Sequence, residues 1–164
     1  MTAPLVLLRT TVPREWIDIN EHMNATHYGL VIYDAHVRLT EVLGIGEDYV
    51  RATQCSKVVV ESHMLYEREV ALGDEIEVRS WLLAVDAKRL HFFHELWNVT
   101  RGARAATSEQ VDVHVDLKLR QSARFPEPLY QALQERVREM LAVPAPRGVG
   151  SRIRPPANPW LGAT

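Results

Sequence analysis

Asp18, Asn20 and His22 lie two residues apart inside the run Trp16-Ile17-Asp18-Ile19-Asn20-Glu21-His22-Met23-Asn24-Ala25-Thr26-His27-Tyr28. On an extended or looped backbone, positions i, i+2 and i+4 point roughly the same way. A carboxylate, an amide and an imidazole then converge. The carboxylate or the imidazole can take a proton from water, and the amide can orient that water. A positioned base contributes roughly 10²–10⁴ in rate. A helical pattern starts at Ala25, so the first-turn amides near Thr26 and His27 offer donors at the positive end of a helix dipole. One such donor to an oxyanion is worth about 3–4 kcal/mol. Together these parts suit hydrolysis of an activated acyl group. The plainer alternative is a turn in which Asp18 and Asn20 bond their own backbone.

Other reactive residues are scattered. Glu67 and Glu69 share one face of Tyr66-Glu67-Arg68-Glu69, ordinarily a solvated strand end. Asp86-Ala87-Lys88-Arg89 is a charged turn, suited to a hairpin or to holding phosphate, and Arg101 and Arg104 raise the same option weakly. The histidines at 22, 27, 36, 63, 91, 94 and 114 include no HExxH, and one cysteine cannot build a structural zinc site. There is no glycine-rich phosphate loop, and Ser62 and Ser108 lack a nucleophile-elbow context. Neither a metal nor a cofactor is expected.

The elements that must hold these residues follow from periodicity. Leu5 to Val12 reads as a first strand, stopped by Pro13. From Ala25, the residues Tyr28, Val31, Ile32, Ala35, Leu39, Val42 and Leu43 keep the i, i+3, i+4, i+7 spacing of a helix. Asn24 suits its N-cap, and Gly44 suits the left-handed residue past its end. Residues 44–54 form a linker with a short helical or irregular piece. Four strands are then expected: Ser56 to Arg68, Glu75 to Leu83, Arg89 to Val99 and Glu109 to Leu119. The third is apolar on both parities, as if covered on both faces. The fourth alternates Val111, Val113 and Val115 with Gln110, Asp112 and His114, which predicts one wet face. Consecutive strands with short turns predict an antiparallel meander, joined by the first strand into a sheet of about five. A sheet with one apolar face must cover it, and the long helix is the obvious cover. A second amphipathic helix is expected from about Glu127 to Leu141. The tail from Ala142 to Thr164 holds five prolines and is expected to be extended, with Trp160 docking on the domain or on a partner.

Composition narrows the function classes. At 164 residues the chain is long enough for one domain with a real core. A net charge of −2 gives no reason to expect nucleic acid or an anionic membrane surface. No window approaches the roughly 18 apolar residues of a membrane span. The start, Met1-Thr2-Ala3-Pro4, lacks the basic region of a secretory signal, and a lone Cys55 suits a reducing compartment. A cytoplasmic location is expected, and Asn98-Val99-Thr100 is taken as a chance sequon.

The run Asp18-x-Asn20-x-His22-Met23-Asn24-x-x-x-Tyr28, a long helix, and Tyr66-x-Arg68-Glu69-x-x-x-Gly73-Asp74 together resemble the hotdog-fold acyl thioesterases. The resemblance covers about residues 10–120. It implies an α+β hotdog fold, an antiparallel sheet wrapped around one central helix, occupying residues 1–141 with the C-terminal helix and followed by the tail. It implies a homo-oligomer, a dimer or an assembly of dimers, with sheets joined edge to edge and sites at the subunit boundary. In the plant acyl-carrier-protein thioesterase branch the proposed catalytic set falls, position by position, on Asp18, Asn20, His22 and Glu69. In the 4-hydroxybenzoyl-CoA thioesterase branch the position of Asn20 is a catalytic aspartate, which this chain lacks. The base is therefore left among Asp18, His22, Glu69 and a carboxylate from a partner chain.

A narrower resemblance is to the betainyl-CoA thioesterases. It rests on Val12-Pro13-x-Glu15-Trp16-Ile17-Asp18, on Glu61-Ser62-His63, and on the run from Asp86 to Glu95. It implies a small acyl-CoA substrate met by Trp16, Asn24, Thr26, His27 and Tyr28, and by Glu61, His63, Lys88 and Arg89. A trimethylammonium head would want Trp16, Tyr28, Trp81 or Trp97 as a cation–π wall. Packing is the ordinary role of each ring. Two other activities fit the same fold: a non-catalytic acyl-CoA-binding module and an enoyl-CoA hydratase. The hydratase pattern has Asp-x-Asn-Pro-x-His, and here the histidine is one residue too close and the proline is missing.

Overall fold

A computed structural model describes residues 3–150. In chain order the elements are β1 (Leu5–Thr11), α1 (Ala25–Val42), α2 (Glu47–Thr53), β2 (Cys55–Tyr66), β3 (Glu75–Val85), β4 (Arg89–Asn98), β5 (Ala103–Asp116), β6 (Gln121–Ser122) and α3 (Glu127–Met140). The sheet is antiparallel, in the order β1-β3-β4-β5-β2, with the two-residue β6 pairing β5. The long helix α1 lies against it, packing on β1, β3, β4 and β5. This is the α+β, helix-wrapped architecture that the period change at residue 55 predicts.

α1 forms where the spacing predicts it. Tyr28, Val31, Ile32, Ala35 and Leu39 are buried, while Leu30, Tyr33 and Val37 are exposed along another face. Asn24 caps the N-terminus by accepting from the Thr26 amide at 2.9 Å. Gly44 takes φ +75°, a conformation without a steric cost only for glycine. With 18 residues, α1 is roughly 27 Å long at about 1.5 Å per residue. α3 packs against β3, with Leu133 and Met140 in one cluster with Trp81 and Phe93. Both parities of β4 are buried, as its sequence predicts.

Two expectations are overturned. The four later strands do not form a simple meander: β2 pairs with β5, and only β3, β4 and β5 follow one another. Residues 67–74 leave β2 at one edge and cross to β3, beside the other edge. Eight residues reach about 26 Å when extended, ample for three strand spacings of roughly 4.8 Å. Gly73 at φ +79° and Asp74 close this crossing, where Asp74 Oδ2 accepts from the Ala71 amide at 2.9 Å and from Asn98 Nδ2 at 2.7 Å.

The second correction concerns β5. It begins six residues before Glu109, at Ala103, because small residues such as Ala105 and Ala106 pack there without any apolar alternation. Its faces are also the reverse of the pattern. Gln110, Asp112 and His114 are buried, and the valines between them are only half-buried. The physical reason is partnership. His36 from α1, Lys57 from β2 and Tyr49 from α2 supply hydrogen-bond partners to those three polar side chains.

After α3 the chain turns back over the sheet, where Arg104 Nη1 donates to Arg147 O at 2.6 Å and the Gly150 amide donates to Glu109. The rest of the proline-rich tail, with Trp160, lies outside the described residues. Among the described residues no helix is long and apolar enough to cross a membrane.

Candidate active site

The loop before α1 is a tight, self-bonded turn. Asp18 Oδ1 accepts from the Asn20 amide at 2.8 Å, and Oδ2 accepts from Asn24 Nδ2 at 2.9 Å. The Glu21 amide donates to Asp18 O, Glu21 takes φ +63°, and Ile17 bridges to Met23 across the base of the turn. Both carboxylate oxygens of Asp18 are thus spoken for. The Asn20 amide, helped by Asn24 and by nearby His22, holds the Asp18 carboxyl below the usual carboxylate range, which makes it a weaker base. Asn20 itself is exposed.

Asn24 is the joint between this turn and the helix. Its side-chain oxygen takes the Thr26 amide and its backbone oxygen takes the His27 amide at 3.0 Å. The expected free donors at Thr26 and His27 are therefore already used. The amide left open at the helix start is that of Ala25, which makes no hydrogen bond among the described residues and whose residue lines a pocket of about 300 Å³. His22, Tyr28, Tyr66, Glu67 and Glu69 also line it.

His22 and Glu69 meet here because two separate segments are stitched together. The Met23 amide donates to Val70 O at 2.8 Å, one residue beyond each of them. Tyr28, buried, donates its hydroxyl to Arg68 O at 3.1 Å. Burial pushes the Tyr28 phenol up, with Glu69 adding to the effect, so it stays a donor. Glu67 is held from the far side by Arg104, which also reaches Glu95 Oε1 at 2.8 Å. Tyr66 stands edge-on to Tyr28, ring centroids 5.4 Å apart, and is largely exposed. In the first turn of α1, His27 is stacked on by Trp16, ring centroids 5.1 Å apart.

The remaining residues singled out by sequence lie elsewhere, on the outer face of the sheet. Glu61 and His63 line a small pocket of about 170 Å³ with His91 and Glu109, which are paired at 2.7 Å. A space of about 300 Å³ shares His91 with it and runs on to Asp86 and Arg89. The next, of about 470 Å³, is lined by Lys88, Arg89 and Ser122. Asp86 shapes this turn by accepting from the Lys88 and Arg89 amides at 2.9 and 2.7 Å. A groove thus carries Glu61, His63, Lys88 and Arg89 away from the pocket of His22 and Glu69.

Two candidate cation walls are otherwise engaged. Trp81 is buried against Phe93, and Trp97 lies under the Arg79 guanidinium at 4.1 Å. The sequence reading passed over Tyr66 as a ring for the site, although it stands in the second motif. It also passed over the buried cluster around His36, for which there was a signal: His36 falls inside the apolar stripe of α1, between Ile32 and Leu39.

Known proteins resemble this chain along most of its length. A family model described as the thioesterase-like superfamily matches residues 12–133. The betainyl-CoA thioesterase of Pseudomonas aeruginosa is 34% identical over 153 residues, covering 93% of this chain and 96% of that protein. The L-carnitine dehydrogenase/betainyl-CoA thioesterase of Ruegeria pomeroyi is 32% identical over 96% of this chain. The chain spans only 32% of the length of that two-activity protein. A Staphylococcus aureus protein solved in complex with CoA superposes with a TM-score of 0.84 at 26% identity, covering 95% of this chain and 98% of that one. The fold is the hotdog fold of these thioesterases.

Proposed function

The chain belongs to the thioesterase-like superfamily, and we propose that it hydrolyses the thioester of a small acyl-CoA, with betainyl-CoA the foremost candidate. The observation that carries this reading is that His22, Glu69 and Ala25, whose amide is unbonded among the described residues, line one pocket at the amino end of α1. His22 or Glu69 takes a proton from water as its oxygen adds to the thioester carbonyl carbon. The carbonyl oxygen becomes an oxyanion, and the Ala25 amide at the positive end of the helix dipole stabilises it. Collapse expels the CoA thiolate, which takes up the proton, leaving a carboxylic acid and free CoA. Asp18 acts through Asn24: it holds the cap that aims the helix start. Asn20, turned to solvent, contributes its backbone to the turn.

Support for a cationic acyl group comes from the lining. Tyr28 and Tyr66 give aromatic faces, and Glu69 gives negative charge, a combination that suits a trimethylammonium head. Thr26 and the stacked Trp16 and His27 border the same end of α1. Lys88 and Arg89 in the outer groove suit the phosphates of CoA, and Glu61 and His63 suit its path toward the pocket. A second copy of the chain suits the edge strand, where Val58, Val59 and Val60 are 42%, 47% and 58% exposed, and α1 leaves Leu30, Tyr33 and Val37 exposed as well. We assign the protein to the cytoplasm, where a lone Cys55 stays reduced.

The test is thiol release from an acyl-CoA panel that includes betainyl-CoA, followed by His22→Ala and Glu69→Gln. One of the two, the base, is expected to lose about 10²–10⁴-fold in kcat with CoA binding retained. Absence of turnover on every thioester would leave a CoA-binding module instead.

A further inference from the structure

Between α1 and the sheet, far from the pocket, six polar side chains are packed together. His36 Nε2 lies 2.6 Å from Lys57 Nζ and 3.2 Å from Asp112 Oδ2. His36 Nδ1 lies 3.3 Å from His94 Nε2, and His94 Nδ1 lies 2.9 Å from Ser80 Oγ. Gln110 Nε2 donates to Asp112 Oδ1 at 2.9 Å. The side chains of His36 and Asp112 are 1% and 0% exposed, and that of Lys57 only 15%. Buried polar groups of this number are costly unless each is satisfied.

One arrangement of protons fits these contacts, and in it the Lys57 ammonium bridges His36 Nε2 and Asp112 Oδ2, two acceptors 3.2 Å apart. An ammonium has donors only, so the short contact from Lys57 requires a lone pair on His36 Nε2. The His36 proton then sits on Nδ1 and is given to His94 Nε2. The His94 proton sits on its own Nδ1 and is given to Ser80. Asp112 stays ionised, taking Lys57 and Gln110. Both histidines are neutral in this order, which their burial favours.

We propose that this chain from Lys57 through His36 and His94 to Ser80 is a one-directional bolt that fixes the axial position of α1 and so places the Ala25 amide at the reaction pocket. It rests on the thioesterase reading for its purpose, not for its geometry. His36 is the twelfth residue of α1, roughly 17 Å from Ala25 at about 1.5 Å per residue, so it is a positioning residue. The other contacts of the buried stripe are mostly aliphatic and tolerate a small slide. Hydrogen bonds do not, and registry is the best-attested use of a buried polar cluster. Among the described residues, Tyr28 and this bolt are the directional ties from the buried face of α1, one at its start and one beyond its middle.

The experiment has two arms, both on the full chain. Nitrogen-15 NMR at pH 7 reads the tautomers, and Nδ1–H is expected for both His36 and His94. An Nε2–H tautomer at His36, donating to Asp112, overturns the proton order. In the second arm His36→Gln and His36→Phe are compared with wild type. Gln can still accept from Lys57 and donate to His94, whereas Phe can do neither. The expected result is a loss in kcat of up to about 10²-fold for Phe, with partial rescue by Gln and little change in KM, as for a misplaced catalytic group. The Ala25 amide resonance should move in the same order, a readout that needs no turnover. If wild type turns over and both variants keep its kcat and its Ala25 resonance, the bolt is refuted and the thioesterase reading stands. If wild type turns over no thioester, the thioesterase reading fails, and the tautomers and the Ala25 resonance still decide the bolt.

Discussion

Acidification from pH 7 to pH 5 should destabilise the fold through its buried histidines, and His94 sets the scale. The unfolded imidazole titrates near 6.5, while burial pulls His94 down to about 3. Between those values the unfolded chain binds a proton that the native chain does not, so stability falls as pH falls. Each unit below 6.5 is about 1.4 kcal/mol, so His94 alone removes roughly 2 kcal/mol by pH 5. That is a large part of a typical stability of about 5–15 kcal/mol. His36 adds in the same direction, since burial lowers it too. Asp112 does not confuse the window. Burial opposes its charge, but the donors and the Lys57 ammonium around it outweigh that and hold it below 3.8, so its contribution is lost only at lower pH. The assay is urea unfolding at pH 7, 6 and 5, at fixed protomer concentration, for wild type and His94→Asn. The variant's stability should change less with pH, by about 1 kcal/mol per unit below pH 6. Parallel curves for the two proteins would refute the linkage, whatever their absolute stabilities.

Three further outcomes follow from single contacts. Asn24→Ala removes the cap on α1 and should cost about 1 kcal/mol in denaturant unfolding, with a loss of kcat because the helix start is no longer held. Tyr66→Ala should raise KM for betainyl-CoA by about fivefold or more, the worth of a part-exposed cation–π contact, and leave acetyl-CoA unchanged; equal effects on both substrates would place the cation elsewhere. Val59→Lys puts a charge into the exposed edge of β2 and should shift the protein to monomer in size-exclusion chromatography, with activity falling in step if the site needs its neighbour.

The site was legible to the extent that it is local. Asp18, Asn20 and Asn24 form one turn and one cap, and residues a few positions apart can be read for both. Even there the sequence left two options open, and the turn was the one the carboxylate oxygens of Asp18 adopted. The meeting of His22 with Glu69 was legible only through resemblance. No local rule links them, because what joins them is the Met23 to Val70 hydrogen bond between distant segments. The Ala25 amide was missed for a related reason: the cap at Asn24 consumes the two donors that the helix dipole would otherwise offer.

The reversed faces of β5 mark where alternation as a signal breaks down. A strand of valines and polar residues has two possible orientations, and the period is the same for both. The usual tie-breaker is the cost of burying polar groups, and it points the valines inward. Here that cost is offset before β5 is considered, because α1 already carries His36 on its buried stripe and β2 brings Lys57 to the same place. Turning Val111, Val113 and Val115 inward would take Asp112 from Lys57 and Gln110 from His36, at about 1–3 kcal/mol or more for each buried group left unsatisfied. The polar parity of β5 therefore goes in, and its valines become the floor of the outer groove that reaches Arg89 and Lys88. One histidine on the apolar face of a helix thus decides which face of a distant strand is available to ligand.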